Sequence, residues 1–208
     1  GKWGDMLHDF SNGFDRSPVA KFDRIQTVKS IGNSTTTVRD LANDEDVKMV
    51  LLVLAESVGR RMREQGFKGR TLSVSVRDNQ LSTITRQCKF EKFTNISSEI
   101  AGKSFWLFQQ FYSWYRPIRS IGISVSEFAH DTVPTQTDLF SDERQRIRME
   151  KLDGTVDILK RRFGNYCIQR ASLLKDPSLT GFNPKDENTI HPVGCFNGGK
   201  GNGLEKIC

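Results

Sequence analysis

Three stretches of this 208-residue chain set small hydroxylated or glycyl residues against apolar ones. In "RTLSVSV", Thr71, Ser73 and Ser75 alternate with Leu72, Val74 and Val76. In "IRSIGISVSEF", Ser120, Gly122, Ser124 and Ser126 alternate with Ile121, Ile123 and Val125. "IQTVKSIGNSTTTV" is rich in β-branched residues and places Lys29, Ser30, Gly32, Asn33, Ser34 and Thr35 close together. A period of two sends each set to its own face of a strand. Short side chains leave backbone N–H groups reachable, and hydroxyls donate to phosphate oxygens. Lys29, Arg70, Arg77, Arg86, Lys89 and Arg119 lie on or beside these strands and supply positive charge. The implied chemistry is a non-covalent grip on a phosphate backbone. The competing reading is that Ser and Thr merely fill solvent-facing strand positions. Nothing resembles a recognition helix or an RNP motif, so base-specific readout is not implied.

A second stretch, "QTDLF" at 136–140, carries a bare Leu139-Phe140 pair between the amide and acid of Gln136 and Asp138 and a charged run. It has neither the alternation of a strand nor the stripe of a helix. Such a peptide suits another protein's pocket, or else packs the following helix back on the sheet.

Other chemistries are poorly supported. Gly194 to Lys200 fits GxxxxGK, but Gly201 stands where a phosphate-binding loop needs Ser or Thr. Cys195 near His191 lacks an orienting third group. Cys88, Cys167, Cys195 and Cys208 form no CxxC pair and read as reduced thiols; His8, His130 and His191 are scattered singly. The acids lie mostly at helix starts and in loops, so neither a catalytic residue nor a metal site is expected.

The elements that must position the polar faces follow from periodicity. Trp3, Met6, Leu7 and Phe10 form a short helical stripe stopped by Asn12-Gly13. The segment 25–38 reads as a strand running into a Gly-Asn-Ser loop. From Asn43, Val47, Val50, Leu51, Leu54, Val58 and Met62 recur at helical spacing, with acids leading and arginines trailing. Two strands joined at Asp78-Asn79 follow, then an aromatic-faced helix to Tyr115, then the strand from Ile118. A last helix over 141–163 shows Met149, Leu152, Val156, Leu159 and Phe163 on one side. Beyond Lys175 the chain reads as loop. The expected fold is α+β: a split βαβ arrangement with a four-stranded, mainly antiparallel sheet, two helices on one face and the other face open.

Lys and Arg number 31 against 25 Asp and Glu, a formal net charge of +6, which makes an anionic partner plausible. A mean hydropathy of -0.50 describes a polar, soluble chain. The longest apolar run, Met49 to Ala55, is far too short to cross a bilayer, and the first twenty residues lack an export signal. A cytoplasmic protein without a membrane partner is expected.

Five stretches, "GDMLHDFSNGFDRSPV", "VKSIGNSTTTVRDL", "GRTLSVSVRDNQLSTITRQCKF", "RPIRSIGISVSEF" and "LDGTVDILKRRFGNYCIQRASLL", together resemble the C-terminal half of bacterial Y-family translesion DNA polymerases of the ImpB/MucB/SamB type. The resemblance implies the end of a thumb at 1–20, a linker at 21–28 and a DNA-binding little finger at 29–130. A clamp-binding peptide and C-terminal helix would follow at 131–174, and a flexible tail at 175–208. It implies a primer-template duplex as partner. Lys29, Ser30, Gly32, Asn33, Ser34 and Thr35 match the first DNA-contacting strand, and Thr83, Thr85 and Arg86 a later one. Gln136, Asp138, Leu139 and Phe140 resemble the peptide that holds the β sliding clamp, although Thr137 replaces the usual Leu. The family's palm holds two Mg²⁺ ions on carboxylates. Its motifs do not occur between Gly1 and Cys208, so this chain is expected to use no cofactor and to catalyse no nucleotidyl transfer. The alternative is a protein-interaction module with an incidental basic surface.

Overall fold

The computed structural model describes residues 1–16, 18–19, 28–132 and 143–182. Within them α1 (Lys2–Ser11) precedes β1 (Ser30–Leu41), α2 (Asp44–Glu64), β2 (Phe67–Asp78), β3 (Thr83–Thr94), α3 (Ser97–Phe111) and β4 (Ile118–His130). Then come α4 (Glu143–Phe163), a 3-10 turn at Ala171–Lys175 and the short α5 (Pro177–Thr180). The four strands form one sheet in the order β1-β4-β2-β3, with every neighbouring pair antiparallel. This is the expected α+β class.

The core lies between the apolar face of the sheet and two helices. Ile31, Leu72, Val74, Val76, Ile121, Ile123 and Val125 meet Val47, Val50, Leu51, Leu54, Val58 and Met62 of α2 and Ile100 and Phe108 of α3; all are buried. Each such side chain contributes about 1.5–3 kcal/mol by leaving water. Gly69 lets α2 come close, since a Cβ there would fall 2.2 Å from Val125 Cγ1 and 3.2 Å from Met62 Cε.

Strand β1 runs straight through the Gly-Asn-Ser sequence that reads as a loop. Gly32 stands opposite Ser124 and Ser34 opposite Gly122, so antiparallel pairing overrides the local turn preference. Helix α3 stops at Phe111, short of Tyr115. Tyr112 turns extended (φ -116, ψ 115), stacks on Phe108 at 5.5 Å, and donates its hydroxyl to Arg116 O at 2.7 Å. The helix therefore ends before the proline, at a tyrosine held by a hydrogen bond four residues on.

Helix α4 departs most from expectation. The stripe through Met149, Leu152, Val156, Leu159 and Phe163 predicts an apolar inner face. Instead Leu152 is 50% exposed and Phe163 61%, while the buried residues are Asp153 and Asp157. Arg63 of α2 grips both: Nε lies 2.7 Å from Asp157 Oδ2 and Nη1 3.3 Å from Asp153 Oδ2. Asp153 also accepts the backbone N–H of Ser97 at 2.8 Å, which places a carboxylate at the N-terminus of α3. Lys160 meets Glu56 at 2.8 Å, Arg146 meets Glu99 at 2.7 Å, Lys68 meets Glu150 at 2.8 Å, and Lys92 pairs with Glu143. Charge, not apolar surface, docks this helix.

The reading of everything beyond Lys175 as loop also changes. Asp176 accepts the N–H of Leu179 at 3.2 Å and so caps α5, whose Leu179 joins the core. Arg39 ties this cap to α2, meeting Asp176 at 2.9 Å and Asp46 at 2.6 Å. The Ser178 hydroxyl, with help from Arg39, lowers the Asp176 carboxyl to about 2. A depressed acid stabilises above its unfolded value near ~3.9 and loses that contribution as pH falls through its folded value. Protection of the Leu179 and Thr180 amides from hydrogen exchange is therefore expected to decline between about pH 4 and pH 2. Asp176→Asn should flatten that decline; an unchanged profile would exclude Asp176 as its source.

Candidate nucleic-acid interface

The register assembles the polar strand positions into four rows. Ser30, Ser126, Thr71 and Lys89 form the first, and Gly32, Ser124, Ser73 and Gln87 the second. Ser34, Gly122, Ser75 and Thr85 form the third, and Thr36, Ser120, Arg77 and Thr83 the fourth. Of these sixteen positions, seven are Ser, four Thr and two Gly, and none is an acid. With strands about 4.8 Å apart and alternate residues about 6.7 Å apart, the patch measures roughly 14 by 20 Å.

The rows are open to solvent. Ser30, Ser34, Thr36, Thr83, Thr85, Gln87, Lys89 and Arg77 are exposed, while Gly122 and Thr71 form a buried floor. The glycines keep that floor low. A Cβ at Gly122 would lie 2.7 Å from Ser34 Cβ and 2.9 Å from Ser75 Oγ; one at Gly32 would lie 2.8 Å from Ser124 Cβ. A side chain at either position must push its neighbours aside.

Charge lies at the margins. Arg77 Nε donates to Thr83 Oγ1 at 3.3 Å, which holds the guanidinium across the fourth row. At the other end Lys89 meets Glu127 at 3.1 Å, and this hydrogen bond holds the Glu127 carboxyl below its usual range. Glu127 is thus an acid at the rim, neutralised by its lysine. Arg70 carries its guanidinium 5.8 Å from the Phe93 ring centre. Arg119 donates to Thr37 O at 3.1 Å and lies 3.7 Å from Asp40, and the exposed Lys29 immediately precedes Ser30.

The candidate residues separate by parity. Ser30, Gly32, Ser34, Arg77, Thr83 and Thr85 share the open face, whereas Lys29, next to Ser30, has the parity of Ile31. Asn33, Thr35 and Arg86 stand opposite Ile123, Ile121 and Val74, on the helix-bearing side. Asn33 there donates to Ser57 Oγ of α2 at 3.2 Å, and Arg86 remains exposed on its edge strand. Thr71, Ser73, Ser75, Ser120, Gly122, Ser124 and Ser126, which alternation alone set on polar strand faces, take their places in the rows together with Lys89, and the rows add Thr36 and Gln87. Counting by twos from Ser30 and from Thr83 along the chain reaches Thr36 and Gln87. Gln136, Asp138, Leu139 and Phe140 lie outside the described residues, as does the tail beyond residue 182. No described helix is long and apolar enough to cross a membrane.

Comparison with known proteins places this sheet. Residues 28–139 match the impB/mucB/samB family C-terminal domain, a span that contains all four strands and both core helices. The chain is 45% identical over 179 residues to a DNA polymerase IV of Acetivibrio thermocellus, covering 86% of this chain and 45% of the relative. It is 35% identical over 178 residues to a DNA polymerase IV of Moorella thermoacetica, covering 86% and 42%. It is 34% identical over 180 residues to a DNA polymerase IV 2 of Bacillus subtilis, covering 83% and 42%. The chain spans less than half the length of these relatives. With the strand order, the core and the matched residues in agreement, this chain belongs to the impB/mucB/samB family and carries its C-terminal domain.

Proposed function

We propose that this chain binds the backbone of a primer-template duplex without reading base sequence, as the non-catalytic C-terminal part of a translesion polymerase. The observation that carries the reading is the sixteen-position open face, acid-free and floored by Gly32 and Gly122. Hydroxyls and Arg77 can donate to phosphate oxygens there, and the long side chains stand at its edges, Gln87 and Lys89 on the edge strand β3 and Arg77 in the last row. In this reading nucleotidyl transfer, with its Mg²⁺ ions, belongs to sequence outside this chain.

Binding measured by fluorescence anisotropy should be similar for duplexes of unrelated sequence and should weaken steeply with salt. About 4 to 6 phosphate contacts give a log-log slope of roughly -4 to -5. A salt-independent affinity would overturn the proposal.

The same reading assigns the segment 136–140 to the β sliding clamp: Gln136 bonds at the rim of an apolar pocket, and Leu139 and Phe140 fill its floor. The sequence alone supports this assignment, through two adjacent apolar anchors beside an amide. The double substitution Leu139→Ala/Phe140→Ala is expected to weaken binding to purified clamp by at least about tenfold. Equal affinity of the two proteins in a calorimetric titration would remove the assignment.

A further inference from the structure

Helix α4 sorts its charges by face. Its four acids, Glu143, Glu150, Asp153 and Asp157, all turn inward and pair with Lys92, Lys68 and Arg63. Of its seven cations, Arg146 and Lys160 pair with Glu99 and Glu56, and Arg161 reaches Glu64 at 3.7 Å. The remaining four, Arg144, Arg148, Lys151 and Arg162, are exposed and form no ion pair among the described residues. Spacings of four, three and eleven residues put them on one line along the outer face of the helix. The line runs about 27 Å at 1.5 Å per residue.

An exposed helix face gains stability when acids sit three or four residues from bases, and like charges at that spacing cost about 0.2–0.5 kcal/mol per pair. Here Arg144, Arg148 and Lys151 follow one another at such spacings with no acid between them on that face. Within the line Thr155 presents a short side chain, and Gly154 beside it has open space where a Cβ would stand. The arrangement is unfavourable for the free domain and becomes favourable against a row of negative charges.

We propose that this outer face of α4 is a second nucleic-acid contact, which grips a DNA backbone through Arg144, Arg148, Lys151 and Arg162. The inference rests on the DNA-binding reading above and adds to it a surface carried by a different element. One DNA strand presents a phosphate about every 3.4 Å of rise, so the line parallels roughly eight of them. A membrane fits less well. A helix lying in a bilayer surface buries a continuous apolar face opposite its charges, and on α4 that opposite face is already committed to Arg63, Glu56 and Glu99. Ile147, Leu152, Ile158 and Phe163 are exposed only singly, on the two flanks of the line.

The test compares three forms of the full chain binding a fluorescent 30-base-pair duplex across a salt series: the wild type, Arg144→Gln/Arg148→Gln/Lys151→Gln, and Ser75→Glu/Ser124→Glu on the sheet. The α4 variant removes no ion pair, so its thermal midpoint should match the wild type. Its affinity should fall about tenfold and its salt slope should lose about 2 to 3 units. A variant with wild-type affinity and slope overturns the proposal while leaving the sheet reading intact. Loss of binding in the α4 variant alone, with the sheet variant unaffected, supports α4 and removes the sheet. If no form binds duplex, both readings fall. If the α4 substitutions abolish binding to anionic phospholipid vesicles but not to DNA, the face is a membrane contact and the proposal is wrong.

Discussion

Replacing Arg63 with Met is expected to lower the thermal midpoint by about 10 °C and to detach α4 from the domain. Arg63 is a largely buried cation, its side chain 12% exposed, shared by two carboxylates, Asp153 and Asp157, which are 6% and 8% exposed. Its Nη1 also donates to Asn95 O and Ser97 Oγ, so the guanidinium joins the end of α2, the start of α3 and the middle of α4. Methionine fills a similar volume, and what disappears is the positive charge. Two carboxylates then remain in a low-dielectric site, a situation that costs about 3–5 kcal/mol in proteins where one member of a buried ion pair is removed. At about 2–4 °C per kcal/mol for a domain of this size, the shift is large enough for any melting experiment. The triple substitution Arg63→Met/Asp153→Asn/Asp157→Asn removes the stranded charges and should recover much of the loss. If the single variant melts with the wild type, or if neutralising both acids recovers nothing, the docking energy of α4 lies elsewhere. Hydrogen exchange along α4 separates local release from global unfolding.

The largest effect on function is expected from Ser75→Glu/Ser124→Glu, which should weaken duplex binding at least about 100-fold. Both residues lie on the two central strands, in adjacent rows of the open face. Two carboxylates there stand where phosphates are proposed to approach, and juxtaposed like charges cost several kcal/mol. The new side chains point away from the core, so the melting curve should change little. Ser75→Asn/Ser124→Asn, of similar polarity but neutral, should retain most of the affinity. Should the glutamate variant bind duplex as the wild type does, the sheet is not the DNA surface.

Periodicity made the strands legible because a strand alternates its faces whatever its partners are. Leu72, Val74 and Val76 point to the core for the same reason that Thr71, Ser73 and Ser75 do not. The cap on α2 is equally local, although the sequence reading named none: Asn43 accepts the Asp46 N–H at 2.9 Å, three residues on. Parity within β1 was legible too, yet the candidate set joined Asn33 and Thr35 to Ser30, Gly32 and Ser34. Neighbours in sequence took precedence there over neighbours in space.

Helix α4 shows where such reasoning stops. Its apolar residues fall on a stripe, and burial of a stripe is the usual outcome for an amphipathic helix. What reversed it was a set of partners up to 104 residues away in the chain, chiefly Arg63, Glu56 and Glu99. Complementary charges on already folded elements can orient a helix against its own hydrophobic pattern, and no window of sequence along α4 contains them.

Composition and local spacing by themselves determined a basic α+β chain, four strands with one small polar face, two core helices and a family resemblance. Only the tertiary structure decided which polar residues meet in rows, where the glycines lower the floor, and which way α4 turns its acids. The division follows range. Alternation and capping are set by the backbone within a few residues, whereas register and ion-pair docking join residues far apart in sequence and exist only once the chain has folded.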